Sequence, residues 1–198
     1  MDTLEDVKEY KYLGHIVQRN LKDDKDIDTR LKQFYAKFNT TYRKFNKVSI
    51  ETFLFLFNSY CLPDYGLALW ICMDVFNTKN FKVLEVAYHN ALKKIVGVPI
   101  KHSNHDVAEL CNQYIMKHYI VMLQARYFKR IMKSRNTLIK LCKPFLMIGC
   151  HRLSFSKLLN DKYEIDFNSN DLEIIHARIS WVQRNEIRTG VRLINLNA

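Results

Sequence analysis

Asp23-Asp24 is an adjacent carboxylate pair, the kind of arrangement with which polymerases and nucleases hold two magnesium ions around a phosphoryl group. The pair stands between Lys22 and Lys25-Asp26, with no apolar strand to fix it, so a solvated turn is the expected reading. His102, His105, Cys111 and His118 are donors of the type zinc takes. Their spacing fits none of the compact structural patterns, and surface histidines beside a buried cysteine explain the same residues. Cys150-His151 places a thiol next to a base, but no carboxylate evident in the sequence would orient the imidazole. There is no phosphate-binding glycine loop, no HExxH and no nucleophile elbow. A self-contained catalytic centre is therefore not expected, and no metal or catalytic residue is assigned.

The remaining chemistry is charge. The chain carries a formal +11, unevenly spread. Residues 31–101 hold 10 Lys and Arg against 4 Asp and Glu, and residues 102–157 hold 10 against 2. Both ends are slightly acidic. A basic middle has a polyanion as its natural partner, and nucleic acid leads over simple solvation of outer helix faces and over an anionic membrane or acidic protein. Lysine and arginine on rigid helices grip phosphate oxygens without reading bases. Lys44, Lys47, Lys93, Lys94, Lys129 and Arg130 are the contact candidates, because their charge has to stay near solvent or a partner. Tyr35, Tyr42 and Phe45 have rings that stack on bases, although aromatics at helical spacing more often pack in a core.

The elements that must position these residues are helices. Glycine (5) and proline (3) are scarce among 198 residues that are 48% apolar, which argues against all-β or disordered classes. From Ile27 the positions Leu31, Phe34, Phe38, Tyr42 and Phe45 recur in steps of three or four, behind acidic residues suited to a helix start. Ser49 caps a second helix carrying Ile50, Phe53, Leu54 and Phe57, which Pro63 interrupts or kinks. Tyr65 to Ile71 is nearly free of charge and reads as the centre of a bundle. A further helix runs from about Asn77–Asn80 to Gly97, with Pro99 beyond it as a stop signal. Ser103 and Asp106 open a short helix, Tyr114 to Lys133 forms a long one, and Leu138 to Met147 a short apolar one. Residues 149–170 read as loose, and Asp171 to Arg188 as a terminal helix.

Five cysteines without a CxxC pair suit a reducing compartment. No apolar run approaches a bilayer span of roughly 20 residues, and the amino terminus has no signal-peptide pattern, so an intracellular protein, nuclear or cytoplasmic and without a membrane partner, is expected. One segment stands apart. Tyr10 to Val17 is extended, and a lone strand exposes unpaired backbone on both edges, so its sheet partners are expected upstream of Met1 or in another chain.

The order of these segments resembles the end of the reverse transcriptase of non-LTR (LINE-like) retrotransposons. Tyr10-Lys11-Tyr12-Leu13-Gly14-His15-Ile16-Val17 is similar to that family's strand after the catalytic palm, and Asp23-Asp24-Lys25-Asp26-Ile27 to the acidic lead into its first thumb helix. Phe57-Asn58-Ser59-Tyr60-Cys61-Leu62-Pro63, with Tyr65-Gly66 and Leu69-Trp70, resembles a second block; Asn58 stands where the family commonly has a basic residue. Leu84 to Pro99, with its Ala87-Tyr88-His89-Asn90-Ala91-Leu92-Lys93-Lys94 centre, resembles a third, and Ser103 fits the serine that often follows.

The resemblance covers about residues 8–110 and fades beyond 135. It implies a mainly α, thumb-like multi-helix bundle preceded by a β-strand or hairpin remnant of a palm. The divisions it implies are 1–26 for the palm remnant and acidic turn, 27–148 for the thumb-like domain, and 149–198 for a loosely packed connector and C-terminal helix. Tyr12, Leu13 and Gly14 would shape a primer-grip-like region, with Gly14 allowing close backbone approach or a bulge. The helices would hold an RNA–DNA or other nucleic-acid duplex, and the palm and fingers domains would be further partners. Magnesium is implied for the parent RNA-directed DNA polymerase only. The family's catalytic aspartate motif does not occur here, so the isolated chain is expected to be non-catalytic. The alternative is a helical protein-interaction module with a basic face, derived from a retroelement but no longer serving reverse transcription.

Overall fold

A computed structural model describes residues 7–12, 14–20, 22, 24–63, 79–141, 164 and 172–196. A short antiparallel hairpin leads into a mainly helical bundle. Strand β1 (Glu9–Tyr12) pairs with β2 (His15–Gln18), placing Tyr10 opposite Val17 and Tyr12 opposite His15. Of the strand or hairpin expected, the segment forms the hairpin, and its sheet partner lies within Tyr10 to Val17 itself. Gly14 is the physical reason: it sits in the two-residue connection at φ +83°, a conformation that costs an L side chain about 1–2 kcal/mol.

A hairpin this small does not stand alone in water. It is pinned to helix α1 (Asp24–Phe45) by the buried carboxylate of Asp26. Asp26 Oδ1 accepts from the Ile16 amide at 2.9 Å, and Oδ2 meets His15 Nδ1 at 2.9 Å. Arg30, one turn along, donates to the Gly14 carbonyl at 2.7 Å, and Lys25 pairs with Glu9. Asp26 thus holds the hairpin, and Asp24 reaches across the chain to accept from Asn80 Nδ2 at 2.8 Å.

Helix α1 buries Ile27, Phe34 and Phe38, with Leu31 and Tyr42 partly covered. Facing them is α2 (Ile50–Leu56), capped by Ser49, whose hydroxyl accepts from the Thr52 amide at 3.2 Å. Helical structure stops just short of Pro63, as expected: α2 passes into a π-helical turn at Phe57–Cys61, closed by the Leu62 amide reaching the Phe57 carbonyl at 3.1 Å. That turn puts the ring of Phe57 within 6.1 Å of Phe34 and 6.0 Å of Phe38, and 6.1 Å from Tyr88. Fully burying each such ring contributes about 1.5–3 kcal/mol. The nearly uncharged stretch from Tyr65 to Ile71 lies outside the described residues.

Helix α3 (Lys79–Val96) crosses this aromatic seam with Phe81, Leu84, Tyr88 and Leu92. It ends at Gly97, φ +78°, where the amides of Gly97 and Val98 both reach the Lys93 carbonyl, at 2.9 and 3.0 Å. Ser103 then caps α4 (Asn104–Leu110), accepting from the Asp106 amide at 3.4 Å. Helix α5 (Met116–Lys133) begins two residues later than expected, leaving Tyr114 and Ile115 in the connection from α4. Residues 137–141 are helical, but Leu138 and Leu141 are exposed; the remainder of the apolar helix expected to Met147 lies outside the described residues. Helix α6 (Leu172–Leu196) docks on α5 through a second core of Val121, Met122, Ala125, Ile175, Ile179 and Val182. Cys61 and Cys111 are free thiols, buried in the main core. No helix among the described residues is long and apolar enough to cross a membrane.

Candidate anion-binding groove

Arg126, Lys129, Arg130 and Lys133 lie on α5 at relative positions 0, 3, 4 and 7, which brings them onto one face of the helix. Docking of α6 turns that face into one wall of an open groove of ≈ 720 Å³, with Glu173 and His176 opposite and Ser134 at the end of α5. Lys129 is 7% exposed, whereas Arg126, Arg130 and Lys133 remain open to solvent. Among the described residues the groove sets four cations against one carboxylate, a positive local balance.

The Arg126 guanidinium donates to His176 Nε2 at 2.7 Å. Arginine has no acceptor to offer, so Nε2 carries no proton and the proton of the neutral ring sits on Nδ1. Nδ1 lies 3.2 Å from the Tyr114 hydroxyl, which thus accepts from it, leaving the phenol proton for Ser180 Oγ at 2.9 Å or the His176 carbonyl at 3.3 Å. Burial, and then the adjacent Arg126 charge, hold the His176 pKa below the ordinary histidine value.

Two further contacts fix α6. Gln183 accepts from the Ile115 amide at 3.0 Å and donates to the Gln113 carbonyl at 3.1 Å, satisfying two backbone groups of the connection with one side chain. His118, fully buried, meets Glu186 at 2.9 Å. The C-terminal helix, expected beside a loose connector, shares a core and this polar seam with α5.

The six basic candidates separate. Lys129 and Arg130 share the groove. Lys44 and Lys47 are exposed at the end of α1 and just beyond it. Lys94 is exposed, its ammonium 4.7 Å from the Tyr42 ring centre and 5.7 Å from that of Phe38. Lys93 departs from the expectation that its charge stays near solvent or a partner: it is 6% exposed and its ammonium donates to the Ile100 carbonyl at 2.7 Å. It closes the turn after α3, where helix carbonyls converge and a cation is favoured. Tyr42 packs edge-on against Phe53 at 5.6 Å, as its helical spacing suggests, while Phe45 is 41% exposed.

Tyr12 is 59% exposed on the hairpin, Gly14 forms its turn, and Leu13 lies outside the described residues. Of the zinc-type donors, Cys111 is in the core and His118 is paired with Glu186; no group of three or more His, Cys, Asp and Glu among the described residues is placed to hold a metal ion. Of the acidic lead, Asp24 and Asp26 are both engaged by protein groups, and Asp23 lies outside the described residues. Cys150-His151 lies outside the described residues.

Arg126, Lys133 and His176 were not among the sequence candidates. The spacing 126, 129, 130, 133 was the available signal for the first two. None existed for His176, because its partner Arg126 is 50 residues away. Comparison with protein-family models, with curated proteins and with solved structures gives no match.

Proposed function

We propose that the chain is a thumb-like, non-catalytic part of a non-LTR-type reverse transcriptase, gripping a template–primer duplex through its basic helical surface. The observation that carries the nucleic-acid half of this reading is the convergence of Arg126, Lys129, Arg130 and Lys133 in one groove. The order of the sequence blocks around Tyr12, Phe57 and Tyr88 supports the parentage. Contacts of this type are to phosphate, so affinity is sequence-independent and falls steeply with salt.

The test is fluorescence anisotropy of a labelled template–primer duplex with the purified chain across a salt series. Binding in the micromolar range at low salt, weakened by Arg130→Glu and by Lys44→Glu with Lys47→Glu, is the expected result. Failure to bind at low salt would remove the reading. Binding insensitive to salt would favour the protein-interaction alternative.

A further inference from the structure

One end of the groove is closed by a hydrogen bond between a permanent cation and a neutral imidazole, Arg126 to His176 at 2.7 Å. An anion entering the groove competes for that guanidinium, since a charge-assisted contact to phosphate is stronger than one to a neutral nitrogen. Losing Arg126 leaves His176 Nε2 as a free basic lone pair facing the anion. The ring is already prepared for this: Nδ1 carries its proton toward Tyr114, so protonation at Nε2 gives an imidazolium with both donors placed and the Tyr114 to Ser180 bond undisturbed. Among the described residues, the groups around His176 are Arg126, Lys129, Arg130 and Lys133 from α5, Tyr114 from the connection before it, and Glu173 and Ser180 on its own helix. Glu173 repels an anion at its end of the groove but favours a protonated imidazole.

Seven residues of α5 separate Arg126 from Lys133, a rise of about 10 Å, over which one nucleic-acid strand presents about three charges. A run of backbone therefore matches the row better than a lone ion. We propose that this groove is a proton-linked phosphodiester site, in which a strand's phosphate takes Arg126 from His176 and the released imidazole takes up one proton from solvent and donates to the same anion. The one bond formed is N–H at His176 Nε2, its proton given up by solvent, and no bond of the nucleic acid breaks. The proposal rests on the nucleic-acid reading above and adds to it the place of contact and its coupling to pH. In the free protein burial and the Arg126 charge lower the His176 pKa, and an anion in the groove offsets the second of these influences.

The test measures dissociation constants for a fluorescein-labelled dT20 strand and for a labelled duplex at several pH values between about 8 and 6. His176→Gln is the informative variant, because its amide oxygen still accepts from Arg126 but takes no proton. The wild type is expected to bind about three- to tenfold tighter at the acid end than the variant's own pH dependence accounts for. Calorimetry of the wild type in two buffers of different ionisation enthalpy gives the same answer without a variant, as net proton uptake on binding. Equal pH dependence in both proteins, or no proton uptake, overturns the proposal while leaving the nucleic-acid reading intact. So does an unchanged salt slope in Arg130→Gln with Lys133→Gln, which would place the contact elsewhere. No binding of either probe at pH 8 and low salt removes the nucleic-acid reading itself.

Discussion

Asp26 Oδ2 and His15 Nδ1 lie 2.9 Å apart across the joint between the hairpin and α1, and the other oxygen of the same carboxylate holds the Ile16 amide. One buried side chain thus satisfies two groups of a strand that has no other helix bond at that point among the described contacts.

Removing it should free the hairpin. Asp26→Ala is expected to cost about 1–3 kcal/mol, because the Ile16 amide and the His15 ring lose their partner. The measurement is native-state hydrogen exchange together with urea unfolding. The Ile16 amide should lose protection while core amides of α3 keep theirs at mild denaturant. Retained Ile16 protection in the variant would show that the pairing with β1 suffices by itself.

His89 supplies a pH dependence. It is 1% exposed on α3, its Nδ1 meets the Glu85 carbonyl at 2.8 Å, and burial above all pushes its pKa down to about 4. The unfolded chain has the ordinary value near 6.5, so it binds more protons than the fold between the two values. Stability from neutral His89 is fully present above about pH 6.5 and falls away toward pH 4, by about 3 kcal/mol. Urea midpoints at pH 7 and pH 4.5 check this. His89→Gln should flatten the difference relative to wild type, and an unchanged difference would assign the acid sensitivity to other groups.

Lys93 and Lys94 should behave oppositely despite their adjacency. Lys93→Met removes the buried ammonium that donates to the Ile100 carbonyl of an otherwise exposed turn, and is expected to destabilise by about 1–3 kcal/mol without altering the salt slope of nucleic-acid binding. Lys94→Gln loses a ring contact at an exposed site, about 0.5–1 kcal/mol. Thermal unfolding and anisotropy on both variants separate the roles. A larger stability loss at Lys94 than at Lys93 would contradict this assignment.

Gln183→Ala tests the docking of α6. It leaves the buried Ile115 amide without its acceptor, so a loss of about 1–3 kcal/mol is expected. The groove depends on the same docking, so binding that needs His176 should weaken with it. Trp181 fluorescence against urea, in a Trp70→Phe background, reads the helix; an unchanged transition would show the apolar contacts of Ile175, Ile179 and Val182 to be sufficient.

Local signals were legible wherever a residue acts on its own neighbourhood. Ser49 and Ser103 cap the helices they precede, and Gly97 ends α3, because these effects reach only three to five residues. The apolar stripe from Ile27 to Tyr42 marked the buried face of α1 for the same reason. What stayed hidden was chemistry that crosses the chain. The hairpin needed the weight of one glycine's positive φ to be seen within Tyr10 to Val17. The exposure expected of Lys93 failed because a carbonyl seven residues away was closer than solvent. The basic row of α5 was readable as a face, but its opposite wall, Glu173 and His176, is set by tertiary docking that periodicity does not encode.

The pinning of the hairpin also has a mechanical consequence. Helix α1 has 22 residues, a rod of about 33 Å, with the hairpin bolted to one end by Asp26 and Arg30 and with Lys44 and Lys47 at the other. Phe34 and Phe38 hold the middle of that rod in the core, so the hairpin and these lysines are kept a fixed helix length apart.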